Sequence, residues 1–154
     1  MLETAELLLA LGAAALLTLP VAYNRERYSR IMGLRTFPLV AVGACGYVLV
    51  AQAFLDGGDG SSMARILQGL MTGIGFVGGG AILKGKDYVI GTVSAASIWV
   101  TGALGAAVAL GQWQLAVALS VTNFLIVYIF SSVKHDLDSD KADKERELQK
   151  DEDD

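Results

Sequence analysis

Five long apolar stretches, separated by loops too short to hold another domain, limit what this chain can become. They run over Ala5–Tyr23, Phe37–Leu55, Ile66–Leu83, Val89–Leu110 and Trp113–Phe130. Each has roughly 17–23 residues, enough to cross a hydrocarbon layer of ~30 Å at ~1.5 Å per residue. A soluble domain of 154 residues would not need 53% hydrophobic residues, 18% charged residues and a mean hydropathy of +0.49. The charges also gather between the stretches instead of lining helix faces. The fold class predicted is all-α: a polytopic membrane bundle of five transmembrane helices, with neighbours antiparallel because the loops are short. Residues 1–133 form that domain, and residues 134–154 form a charged tail too short to build its own core. Glu3 and Glu6 stand where a cleavable signal would carry positive charge, so the first stretch reads as a retained span.

The loops alternate in charge. The first holds Arg25, Arg27, Arg30 and Arg35; the third holds Lys84 and Lys86; the second, DGGDGSS, is acidic. Lys and Arg resist translocation, so loops one and three and the C-terminus are expected in the cytoplasm and the N-terminus outside. Arg65 is the exception, at the outer mouth of the third span, within reach of Asp56 or Asp59. Tyr23, Tyr88, Trp113 and Tyr128 sit near span ends, as an interfacial aromatic belt requires. Cys45, the single cysteine, lies in an apolar run and reads as a buried thiol.

The third stretch contains TGIGFVGGGAILK, in which Gly73, Gly75 and Gly78 spell G-x-G-x-x-G. A dinucleotide turn needs a strand before it and an acid about 20 residues on. Here MARILQGLM precedes it, with helical character, and no acid stands at that distance. Nucleotide binding is excluded on these grounds. In a membrane the same glycines make close-packing faces, through the pairs Gly69/Gly73 and Gly75/Gly79. Ser94, Ser97, Thr101 and Gly105 form a small, hydroxyl-bearing stripe on the fourth stretch, expected to receive the third. Two readings stay open for Gly78-Gly79-Gly80: an intact packing helix, or a broken one lining a polar cavity.

The other polar side chains within the spans are Gln68, Thr72 and Asn123. Their default role, shared with Ser94, Ser97 and Thr101, is interhelical hydrogen bonding; a polar permeation path is the alternative. Arg35 anchors the start of the second span or pairs with a lipid phosphate or partner carboxylate, and Thr36 is expected to cap that helix. No Asp, Glu, Lys or His stands near the middle of any stretch, where proton-coupled carriers and pumps place one. No nucleophile–base pair, paired carboxylates or metal-ligand spacing is present, so no enzyme, cofactor or metal site is expected, and no nucleic-acid partner.

Three segments in order, GLRTFPLVAVGA (Gly33–Ala44), ARILQGLMTGIGFVGGGAILKG (Ala64–Gly85) and GTVSAASIWVTGALGAAV (Gly91–Val108), resemble the N-terminal membrane domain of the MgtC/SapB family. The likeness covers most of residues 1–130. The chain departs from the family's pattern at Asn24, where an acidic residue is common, and at Val93, where a polar residue is common. The resemblance implies a multi-pass protein of the bacterial inner membrane, linked to magnesium limitation or stress. It implies a non-enzymatic regulator or interaction module, with an inner-membrane protein as partner. The alternative is a small oligomeric transporter or channel with its path along the third and fourth spans. Five spans make a thin wall, so a homo-oligomer, with a dimer favoured, is expected either way. The residues expected to carry function or packing are Arg35, Arg65, Gln68, Thr72, Gly73, Gly75, Gly79, Ser94, Ser97, Thr101 and Asn123.

Overall fold

The structure, a computed structural model, describes residues 3–28, 32–55, 60–86 and 88–130. Arg30, Asp56, Asp59, His135 and the tail lie outside them. The chain forms α1 (Thr4–Tyr28), α2 (Thr36–Phe54), α3 (Gly60–Gly80), β1 (Leu83–Lys84), β2 (Val89–Ile90), α4 (Thr92–Ala109) and α5 (Trp113–Phe130). Helices α1, α2, α4 and α5 are long and apolar enough to cross a membrane. The third helix has the length but, with Arg65 and Gln68 in it, not the apolarity. The five expected spans are therefore four by composition, plus one helix of mixed character.

The boundaries also shift. The expected span Ile66–Leu83 is a helix that starts six residues earlier and stops at Gly80. The glycine triplet thus ends α3 and does not break it midway. Glycine loses the most backbone freedom on entering a helix, so a run of three is a natural terminus. Leu83 and Val89–Ile90, assigned to spans in the sequence, instead pair as an antiparallel hairpin, Leu83 opposite Ile90 and Lys84 opposite Val89. Among the described residues the regular structure is all helical but for this hairpin. Thr36 is the first residue of α2 and not its cap; the amides of Thr36 and Phe37 bond the Gly33 carbonyl instead.

Two glycines set the chain's sharpest corners. Gly91 joins the hairpin to α4 at φ 89°, and a Cβ there would run into the Ala81 carbonyl. Gly111 sits at φ 69° after α4. Its amide bonds the Val108 carbonyl and that of Gln112 bonds Ala107, the paired bonds that close a helix C-terminus on a left-handed residue. The next residue, Trp113, already begins α5.

Helix α4 lies at the centre. It packs most extensively on α2, then on α3 and α1. Its buried residues run from Ser94 to Ala109. Gly105 lies so close to α2 that a Cβ would strike the Ala41 carbonyl, and Gly102 sits under Ile74 of α3. One apolar cluster joins Ala10, Ala14, Ala41, Cys45, Val48 and Leu104. A second joins Val21, Phe37, Ala81, Ala95, Ile98 and Val127. Alanine dominates because lipid supplies no hydrophobic drive between helices, so short-range dispersion across small side chains must hold them. The outer faces carry large apolar side chains such as Leu8, Leu39 and Phe54.

Gly91→Ala should lower stability by at least about 1–3 kcal/mol, the usual cost of a strained backbone position. Gly43→Ala, where a Cβ meets nothing within 4 Å, should not. Thermal unfolding of both variants in detergent checks this; equal midpoints would contradict the corner.

Candidate functional site

The buried face of α1 reads Ala10, Ala14, Thr18, Val21, Ala22 and Arg25. These residues recur at helical spacing, so the helix that crosses the bundle carries Arg25 inward with it. Arg25 is only 7% exposed, and its Nε donates to Ser94 Oγ at 3.2 Å. The sequence placed Arg25 in a loop as a topology anchor. Instead it lies at the end of α1 and ties that helix to the first turn of α4. The neighbouring Asn24 is 4% exposed, and its Oδ1 has no partner among the described residues.

From this point polar groups continue up the interior face of α4. Ser94, Ser97 and Thr101 are all buried, at i, i+3 and i+7. Asn123 of α5 donates its amide to the Ser97 carbonyl at 3.4 Å. Thr101 Oγ1 is buried without a partner among the described residues. Ser120 of α5 donates to the Leu17 carbonyl of α1. Pro20, inside α1, has no amide hydrogen to give the Leu16 carbonyl, so the ladder of α1 already lacks one bond in this turn. Thr18 Oγ1 donates back to the Ala15 carbonyl at 2.7 Å. The interior therefore holds a row of neutral hydroxyls and amides between α1, α4 and α5, closed at one end by Arg25.

Ser94, Ser97, Thr101 and Asn123 thus come together, but not where the sequence placed the stripe. It was matched to the third helix; Ser94 meets α1, the Ser97 carbonyl meets α5, and Gly105 meets α2. The surface that receives α3 is a different face of α4. A Cβ on Gly78 would lie 3.3 Å from the Ala95 carbonyl, and one on Gly75 would lie 3.8 Å from Trp99 Nε1.

Arg65, Gln68, Thr72, Gly73, Gly75 and Gly79 form no part of the interior row. All are exposed, and Gly78 is the single buried residue of α3. The pairs Gly69/Gly73 and Gly75/Gly79 make no tight contact within the protein. Gly69 and Gly73 instead line, with Gly43, Tyr47, Ile66 and Val77, an apolar groove of about 490 Å³ between α2 and α3. Arg35 is exposed beside the start of α2. The sequence reading missed Arg25, Asn24, Thr18 and Ser120. For the α1 residues a signal was present, since the Ala10, Ala14, Thr18, Val21 series runs directly into Arg25.

A family model described as the MgtC family matches residues 11–135. Protein SrpB of Synechococcus elongatus is 41% identical over 120 residues, 71% of this chain and 64% of that protein. The putative magnesium transporter YhiD of Escherichia coli is 32% identical over 132 residues, 82% of this chain and 61% of that protein. Protein MgtC of Salmonella typhimurium is 34% identical over 114 residues, 74% of this chain and 48% of that protein. The matched region is less than two thirds of each relative's length. No solved structure matches the chain.

A double-mutant cycle on Arg25→Met and Ser94→Ala should return a coupling of about 1.5–3 kcal/mol, the range for a hydrogen bond to a charged group. Unfolding free energies in mixed detergent micelles provide the measurement. A coupling near zero would mean that the two side chains do not meet.

Proposed function

This chain belongs to the MgtC family, and on that footing we propose that it is a non-enzymatic regulator or interaction module of the bacterial inner membrane, acting under magnesium limitation or stress. One observation carries the reading: three of the buried polar side chains join one helix to another. Arg25 holds Ser94, Asn123 holds the Ser97 carbonyl and Ser120 holds the Leu17 carbonyl. A bundle organised in this way is suited to being a rigid body with recognition surfaces, and an inner-membrane protein is the partner proposed. The proposed orientation has the N-terminus outside and the C-terminus in the cytoplasm, from the arginines and lysines of loops one and three. Copies of the chain are proposed to associate, with a dimer favoured.

A second reading is favoured by a specific finding: one relative is named a putative magnesium transporter. Under it, copies of the chain would enclose a path along the third and fourth helices, where Gln68 and Thr72 face outward.

Two measurements separate the readings. Purification of the tagged full chain from its native membranes should retain a second membrane protein, reproducibly and in fixed proportion. Proteoliposomes containing the chain should show Mg²⁺ flux equal to that of empty liposomes. Flux above that background, lost in Gln68→Leu with assembly intact, would replace the first reading with the second.

A further inference from the structure

Taken as the fifth span, helix α3 is turned the wrong way round for a single protein in lipid. Its inner side is apolar: Met63, Leu67 and Leu70 pack on one core cluster and Ile74 on the other. Those two clusters follow α4 from Leu104–Ala109 down to Ala95–Ile98, so α3 runs beside α4 over most of its length and lies at the same depth. Its outer side carries Arg65, Gln68, Thr72, Gly75 and Gly79, all exposed. At ~100° per residue the two sides point roughly 150° apart. The outer faces of α1 and α2 present leucines, Val50 and Phe54, as lipid contact demands. An amide, a hydroxyl and two bare glycine backbones gain nothing from hydrocarbon.

We propose that this face of α3 is the seam of a two-fold dimer, covered by the same face of a second copy. The proposal rests on the association of copies in the function proposed above and names the surface that performs it. The chemistry fits a second copy because the face is self-complementary. A glutamine amide both donates and accepts, so Gln68 can bond its own counterpart across the axis. Thr72 Oγ1 already donates to the Gln68 carbonyl of its own helix at 2.9 Å, which leaves its lone pairs for the other copy's amide. All copies share one orientation in the membrane, so the axis runs along the bilayer normal and like residues meet. Arg65 lies two residues beyond the first turn of α3, where its long side chain can turn to the membrane surface.

Shape agrees with chemistry. The spacing of the face, 65, 68, 72, 75 and 79, alternates three and four residues. That is the coiled-coil period, which gives a left-handed crossing near ~20°. Phe76, 85% exposed, lies about 60° to one side of the face, and Gly75 lies about 40° to the other. A two-fold axis brings the Phe76 of each copy over the Gly75 of the other, beside Trp99, which is half exposed on α4. Large side chain meets bare backbone twice, by symmetry.

Single cysteines introduced into the full chain with Cys45→Ala test the seam by oxidation in native membranes. Gln68→Cys, Thr72→Cys and Gly79→Cys should each give a disulfide-linked dimer. Gly73→Cys and Val77→Cys, on the groove side, should not. Gly75→Leu should weaken dimerisation in nanodiscs at least tenfold while the unfolding midpoint stays within error. A dimer that cross-links at Gly73 and Val77 overturns this surface but leaves the association of copies standing. A chain that stays monomeric in nanodiscs overturns both. Ready labelling of Gln68→Cys and Thr72→Cys by a water-soluble thiol reagent, without cross-linking, overturns the seam in favour of a wet path.

Discussion

Close backbone approach around α4 is the constraint on which the rest of the structure depends. Between membrane helices there is no apolar surface to hide from water, so association relies on many short-range contacts, each worth little. Such contacts fall off within an ångström, and a single Cβ in the wrong place removes a whole row. Gly105 against Ala41, Gly102 under Ile74 and Gly78 on Ala95 are places where α4 and its neighbours touch through bare backbone or alanine. Gly91, held against the Ala81 carbonyl, fixes where α4 starts relative to the end of α3. With both ends of α4 pinned, by Gly91 and by the Gly111 closure, α1, α2, α3 and α5 have a rigid central post to pack on.

Close packing creates a second problem, the polar groups it buries. Ser94, Ser97 and Thr101 are small enough to sit in the α4 interface, but each brings a hydroxyl into a region without water. Partners from outside α4 answer part of this: Arg25 from α1 bonds the Ser94 hydroxyl and Asn123 from α5 bonds the Ser97 carbonyl, while Thr101 Oγ1 has no partner among the described residues. A bond between neutral groups such as Asn123 and the Ser97 carbonyl is worth on the order of 0.6–2 kcal/mol in a membrane. The value of these bonds lies as much in direction, because a hydrogen bond fixes the rotation of a helix that smooth alanine faces would leave free to slip. Arg25 does this most strongly, since a buried guanidinium left unpaired is far more costly than a hydroxyl.

The apolar lengths of α1, α2, α4 and α5, the Gly111-Gln112 turn and the burial of the Ser94, Ser97, Thr101 and Asn123 group were legible in the sequence. Each is a local pattern: a run, a glycine, a period. The hairpin was not, because Leu83, Val89 and Ile90 are apolar residues beside apolar helices, and nothing in such a run marks where helix gives way to strand. The partner of the Ser94 stripe was not legible either. Helical period shows that a face exists but not which neighbour lies against it, and three neighbours shared it. Arg25 was hidden by the habit of assigning a charge to the loop it borders, although its phase on α1 pointed inward.

The three segments that carry the family likeness meet one another in space. Ala41, from the first, lies against Gly105 of the third; Gly78 and Ala81, from the second, lie against Ala95 and Gly91 of the third. Most of what makes the sequence recognisable is therefore the packing of α2, α3 and the hairpin onto α4, and close packing alone would preserve it whatever the protein does. The outer face of α3 is different. Arg65, Gln68 and Thr72 belong to the second of those segments, yet all three are exposed, and the Thr72 hydroxyl bonds within its own helix. Leucines would serve lipid better at each of these positions. On the seam proposed above, these polar residues answer to a second copy of the chain. The search for function in this chain therefore belongs at that surface rather than in the interior.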